Sequence, residues 1–90
     1  MTSVRTLEFK TLYLALPVRV RSLADSKYQL WSENTKYRGV NFECVDTDHD
    51  IWSVRIGDHH RALCKKRGTS AGPRYVWFWI GTHEEYNGLI

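Results

Sequence analysis

The sequence predicts an α+β fold: an N-terminal helical pair packed on a small antiparallel β-sheet, followed by a short C-terminal helix. Three observations predict it. Apolar residues recur at the helical period between positions 20 and 31. They alternate at the strand period in "WSVRIGDHHRAL", residues 52–63. The run "YVWFWIG", residues 75–81, is apolar on both faces, as a strand covered from two sides would be. The connections between the strands are short, which favours antiparallel neighbours.

The first helix is read in "LEFKTLYLAL", residues 7–16, and ends before Pro17. Pro17 opens the second helix, because a proline's missing N–H costs nothing in a first turn. Val20, Leu23, Ala24, Tyr28 and Trp31 form its inner face, and Arg19, Arg21, Asp25 and Lys27 its outer one. The helix fades near Asn34, ahead of the polar turn "TKYRG". Val40, Phe42 and Cys44 alternate with Asn41 and Glu43 as in a strand, and "VDTDHD", residues 45–50, reads as a turn. Strands follow at 51–56 and 61–66. "RGTSAGPR", residues 67–74, reads as loop from its Gly, Ser and Pro content. After the strand at 75–81, "THEEYNGL" reads as a short helix. Thr82 caps it, and Glu84 and Glu85 lie in the first turn, where the helix dipole favours negative charge.

A chain of 90 residues has the length of one domain, read here as 1–90. It is 42% hydrophobic and 13% aromatic, too apolar for a disordered chain. No apolar run approaches the roughly 20 residues of a membrane helix, and "MTSVRTLEFK" lacks the apolar core of a signal peptide. Cys44 and Cys64 are the only cysteines. They are read as reduced, buried thiols of a cytoplasmic protein. The net charge is +3. Between residues 51 and 80, six Lys or Arg residues (Arg55, Arg61, Lys65, Lys66, Arg67, Arg74) stand against Asp58 alone. Residues 36–50 run the other way, with Lys36 and Arg38 against Glu43, Asp46, Asp48 and Asp50. A basic C-terminal half is the footprint of a phosphate-rich or acidic partner. His49 between Asp48 and Asp50 has the residue types of a metal site, but three consecutive loop residues make poor ligand geometry. No metal and no cofactor are expected.

The hairpin carries the sharpest local expectation. A three-residue loop, Gly57-Asp58-His59, pairs Arg55 with Arg61, Val54 with Ala62 and Trp52 with Cys64. That register sends every apolar partner to the core face and both arginines to the open face. A one-residue slip would mix the faces, which is costly where one is buried. Two guanidiniums on adjacent strands repel, so they need either an anion between them or carboxylate partners such as Glu84 or Glu85.

"IWSVRIGDHHRAL", followed after a loop by "YVWFWIGTHEEYNGLI", resembles the C-terminal half of the RelE/ParE superfamily of bacterial toxins from type II toxin–antitoxin modules. The earlier "LALPVRVRSLADSKYQLWSEN" and "VNFECV" resemble the family's helical pair and second strand in order and spacing. The resemblance implies a curved sheet with a concave basic face, and a first strand within "SVRTL". It also implies a cognate antitoxin as partner and a toxin–antitoxin hetero-oligomer. RelE- and YoeB-like members cut mRNA on the ribosome; ParE-like members instead poison DNA gyrase.

Cleavage of RNA by its own 2′-hydroxyl needs a proton acceptor, a donor for the leaving 5′-oxygen and cations around the phosphorane, and requires no metal. By resemblance, Arg61 matches the catalytic arginine and Arg55 the basic residue that holds the scissile phosphate. His83 and Tyr86 match a His–Tyr pair that is adjacent in YoeB-like members and separated by two residues here. Positions i and i+3 share a helix face, so a helix restores their proximity. His60 precedes Arg61 as a histidine does in the YoeB branch, and with Lys65, Lys66 and Arg67 completes the RNA-binding candidates. Ser53 stands where archetypal RelE members carry a lysine. Glu43 is a candidate base if its strand borders the cleft, and Trp77 and Trp79 are candidate stacking platforms. Three classes of function stay open: a ribosome-dependent mRNA endonuclease, a gyrase poison and a non-toxic binding module of the same fold.

Overall fold

Thr6 starts the first helix: its Oγ1 accepts from the Phe9 N–H at 3.1 Å, the N-cap bond that satisfies an otherwise orphan donor. The protein is described by a computed structural model over residues 2–89. Its elements are β1 (Thr2–Arg5), α1 (Leu7–Leu14), α2 (Val18–Glu33), a 3-10 turn (Arg38–Val40), β2 (Glu43–Asp46), β3 (Ile51–Ile56), β4 (His60–Thr69), β5 (Gly72–Thr82) and α3 (His83–Leu89). None of the described helices is long and apolar enough to cross a membrane.

Pro17 is the N-cap of α2 rather than part of its first turn. Its carbonyl accepts from the N–H groups of Val20 and Arg21, both at 3.0 Å. The helix ends at Asn34, as the polar turn predicts. Val20, Ala24 and Trp31 are buried, but Leu23 and Tyr28 are 40% and 43% exposed. These two sit at the rim. Tyr28 donates its hydroxyl to Ser3 Oγ at 3.0 Å and meets Trp77 edge-on.

The sheet has five strands in the order β1-β5-β4-β3-β2. The three pairings among β2, β3, β4 and β5 are antiparallel. β1 adds an outer strand parallel to β5, with Val4 opposite Val76. A parallel pair needs a long crossover, which the intervening helices and strands provide. The hairpin register is the predicted one: Trp52 faces Cys64, Val54 faces Ala62 and Arg55 faces Arg61.

Beyond shifts of one or two residues at the ends of α1, α2 and β4, two segments differ from the sequence reading. Val40 belongs to the 3-10 turn and Asn41 adopts a left-handed φ of 48°, so β2 begins only at Glu43. Asparagine tolerates that conformation, and the turn plugs Val40 fully into the core. Residues 67–74 are not a loop. β4 and β5 continue through them to a tight turn at Ser70 and Ala71, closed by Gly72 at φ 109°. Glycine adopts that angle freely, and Pro73 precedes the first β1 pairing at Arg74, an edge stretch where proline is tolerated.

The core centres on Trp31. Its ring meets Tyr75 at 4.9 Å, Trp77 at 5.0 Å and Phe42 at 5.6 Å between centroids, all edge-to-face, the arrangement aromatic quadrupoles favour. Cys64 is fully buried, and burial pushes its thiol up to about 12. Cys44, also expected to be buried, is exposed, because β2 is the outermost strand and no strand among the described residues pairs beyond it.

Candidate functional site

Alternation along β3 and β4 distributes the cations by parity. Val54, Ile56, Ala62 and Cys64 point into the core, so Arg55, Arg61, Lys65 and Arg67 share the opposite face. Across this face, one row runs Glu43, Ser53, Leu63, Trp79 and the next runs Arg55, Arg61, Gly81. Glu43 therefore borders the arginines from the edge strand. A bulge between these rows and the far end of the sheet inserts Phe78 into β5; such insertions bend the strand that carries them. The face is not uniformly open, since Ser53 and Leu63 are 5% and 2% exposed.

Arg55 and Arg61 converge on a single acceptor. Arg55 Nε and Arg61 Nη1 each donate to the Gly57 carbonyl at 3.3 Å. Arg61 Nη1 also donates to the His60 carbonyl at 2.8 Å. Gly57 holds the turn at φ +66°, and a Cβ there would come within 2.9 Å of Leu23 Cδ2. The carboxylate partner of Arg55 is Asp58, at 2.9 Å, rather than Glu84 or Glu85. Arg61 has no carboxylate partner among the described residues. Carbonyl acceptors fix its position and leave its charge whole.

The start of α3 is tied to the same hairpin. Glu85 Oε1 accepts from the Thr82 N–H at 3.0 Å and from Thr82 Oγ1 at 2.9 Å, while the Glu85 N–H donates to Thr82 Oγ1 at 3.2 Å. This is a reciprocal capping box. The two Thr82 donors hold the Glu85 carboxyl below the usual carboxylate range. The His83 N–H donates to the His59 carbonyl at 2.7 Å. His83 is thus anchored two residues from Arg61 along one strand and two from Gly81, the cross-strand neighbour of Arg61, along the other. The rings of His83 and Tyr86 stack with centroids 5.8 Å apart and planes 19° from parallel, so one helical turn brings together what the sequence separates.

Gly81 makes the corner possible. A Cβ there would meet Trp79 Cζ2 at 2.6 Å and Glu85 Oε1 at 3.1 Å. The bare glycine lets the Trp79 indole lie over Gly81, the cross-strand neighbour of Arg61. Trp77, by contrast, is in the core.

The remaining candidates divide between the faces. Lys65 and Arg67 continue the Arg61 face along β4. Lys66 is on the other side, with Nζ 5.2 Å from the Trp52 ring centroid in a cation–π contact. His60 lies opposite Thr82 at the hairpin end. Burial, followed by the charge of His59, lowers its pKa against a smaller opposing pull from Glu85. His49 Nδ1 donates to Asp46 Oδ2, 2.9 Å away. Lys27 and Arg38 carry no motif in the sequence, yet they line a pocket with Arg55.

The structure is similar to a YoeB/ParE toxin from Agrobacterium tumefaciens, with a TM-score of 0.70 and 20% identity, covering 92% of this chain and 99% of that one. It is similar as well to a chain of the RelB–RelE antitoxin–toxin complex from Methanococcus jannaschii, with a TM-score of 0.67 and 7% identity, covering 97% and 98%. At such identities the likeness shows the fold. No curated protein matches the chain. Residues 18–88 match the ParE-like toxin domain. That span takes in α2, four of the five strands and nearly all of α3, and on it the chain belongs to the ParE-like toxin family, within the RelE/ParE superfamily that its hairpin and C-terminus resemble.

Proposed function

We propose that this protein is the toxin of a toxin–antitoxin pair and acts as a ribosome-dependent mRNA endonuclease that inhibits translation. The observation that carries this reading is the stacked His83–Tyr86 pair, held by a backbone bond at the Arg61 end of the sheet. Release of a 5′-oxygen from a phosphorane requires a proton donor and a cation, and His83 and Arg61 bring both to this end of the sheet.

Placement supports the following roles. Glu43, in the row next to the arginines, accepts the proton of the 2′-hydroxyl. The 2′-oxygen then bonds to phosphorus in line with the leaving group. Arg61 commits only Nη1 to carbonyls, so Nη2 is available to a phosphate oxygen. Arg55 supplies a second cation. His83 gives its proton to the 5′-oxygen as the P–O5′ bond breaks, and Tyr86 orients the imidazole by stacking. The products are a 2′,3′-cyclic phosphate and a 5′-hydroxyl. Trp79 offers a flat surface to a neighbouring base, and Lys65 and Arg67 extend the cationic face along the strand. This in-line reaction requires no metal.

The similar structure of a RelB–RelE complex supports a cognate antitoxin as partner, with an acidic or amphipathic segment laid over residues 51–67. The second reading, gyrase inhibition, is favoured by the ParE-like description of the matched domain. One experiment separates the two: induce the protein, map mRNA 5′ ends by primer extension, and assay DNA supercoiling alongside. New ends inside translated codons support the endonuclease. Intact mRNA with blocked supercoiling transfers the assignment to gyrase, and neither effect leaves a binding module.

A further inference from the structure

A pocket of about 360 Å³ opens at the edge of β3, beyond the last residue that β2 pairs. Lys27 of α2, Arg38 and Gly39 of the 3-10 turn, and Arg55, Gly57 and Asp58 of the hairpin line it. Three cationic residues from three separate elements thus line it together with one carboxylate. Asp58 holds Arg55 at 2.9 Å, but its side chain is 81% exposed, the setting in which an ion pair binds weakly and is readily displaced. Lys27 Nζ donates to the Gly39 carbonyl at 3.1 Å, which orients the ammonium without neutralising it. Arg38 is exposed, and its side chain makes no hydrogen bond or ion pair among the described residues. The walls hold two more positive charges than negative ones, and a concave wall focuses that field.

A Cβ on Gly39 would press on the Tyr37 ring at 3.1 Å and reach Lys27 Nζ at 3.6 Å, so the bare glycine leaves the ammonium and its carbonyl contact uncrowded. We infer that this pocket is an anion site that takes a backbone phosphate of single-stranded RNA, next along the strand from the phosphate at Arg61. A phosphodiester presents oxygens in several directions, which suits two guanidiniums and an ammonium arriving from different elements. The pocket also shares a wall with the site: Arg55 and Arg61 donate to the same Gly57 carbonyl, so a strand held at one arginine continues toward the other. The choice of RNA as the polymer rests on the endonuclease reading; the need for an anion rests on the charges alone.

The test is binding of a 2′-O-methylated hexanucleotide, which cannot be cut, to the full chain over a range of salt concentrations. Lys27→Gln combined with Arg38→Gln should weaken binding about tenfold at low salt and flatten the slope of log K against log salt by about 0.7, the contribution of one single-stranded phosphate contact. Arg19→Gln, which removes an exposed cation elsewhere on α2, should change neither quantity. Because Lys27 also holds the Gly39 carbonyl, Arg38→Gln alone serves as the second variant; it breaks no internal bond and should flatten the slope in the same direction. An unchanged slope in both variants overturns the site, as does a wild-type chain that binds no oligonucleotide. Loss of polyglutamate binding with oligonucleotide binding intact overturns it as well, since the pocket would then serve a protein carboxylate. The hexanucleotide is never cleaved, so a wild type that cuts no mRNA removes the endonuclease reading and leaves this binding result to be judged separately.

Discussion

Arg55 and Arg61 face each other across the β3–β4 ladder and donate to one carbonyl, that of Gly57, each at 3.3 Å. Sharing an acceptor tethers two like charges that would otherwise splay apart. The pair is not symmetric. Arg55 has Asp58 at 2.9 Å, whereas Arg61 has carbonyls only. The residue with the uncompensated charge is the better anchor for a developing phosphorane, and the partnered one is the better adapter between neighbouring phosphates.

Arg61→Ala should therefore leave a folded protein with cleavage slowed about 10² to 10³-fold, the usual effect of removing one preorganised donor. Single-turnover cleavage of mRNA on purified ribosomes measures it, with circular dichroism to verify the fold. A folded variant that cleaves at the wild-type rate removes Arg61 from the chemistry.

His83→Ala and His83→Gln should each slow the same reaction by roughly 10² or more while ribosome binding holds. Glutamine keeps the polarity and loses the proton transfer, so equal slowing by both marks the acid role. Tyr86→Phe keeps the stacked ring and should be the mildest of the three. Normal cleavage by both His83 variants would reduce His83 to a helix-start residue.

Gly81→Ala tests the corner between β5 and α3. The added methyl meets the Trp79 ring at 2.6 Å, and overpacking of this kind costs about 1 to 3 kcal/mol. Thermal melting should show that loss, and Trp79→Leu in the same chain should recover part of it. Equal penalties in the two backgrounds would mean that the indole is not the obstacle.

The pH dependence of α3 follows from Glu85. Its carboxyl is held below the usual range by the N–H and hydroxyl of Thr82. A carboxyl lowered in the folded state stabilises fully above its unfolded value, about 4.3, and loses that contribution as pH falls through the lowered folded value. Amide exchange of residues in α3 should accelerate across that acid window, together with loss of the His83–Tyr86 stack in NMR spectra. Glu85→Gln should remove the pH step. An α3 whose exchange shows no such step in the wild type would contradict the cap.

The hairpin register was legible because it depends on alternation alone. With one face buried, only the pairing of Arg55 with Arg61 keeps Val54, Ile56, Ala62 and Cys64 on the same side. The Thr82 cap and the end of α2 at Asn34 were legible for a similar reason, since capping is settled within a few residues. The parallel pairing of β1 was not: four residues carry no period, and their partners, from Arg74 to Trp77, lie some seventy positions away. Residues 67–74 read as loop by composition, yet long-range pairing draws them into β4 and β5. Cys44 looked like a core residue in an alternating run, and only its place on the outermost strand exposes it. Lys27 and Arg38 gave no local signal, because nothing along the chain links them to Arg55. Short-range periodicity determines which face a side chain takes within its own element. Which charges meet across elements is decided only when α2 and the 3-10 turn dock beside the hairpin.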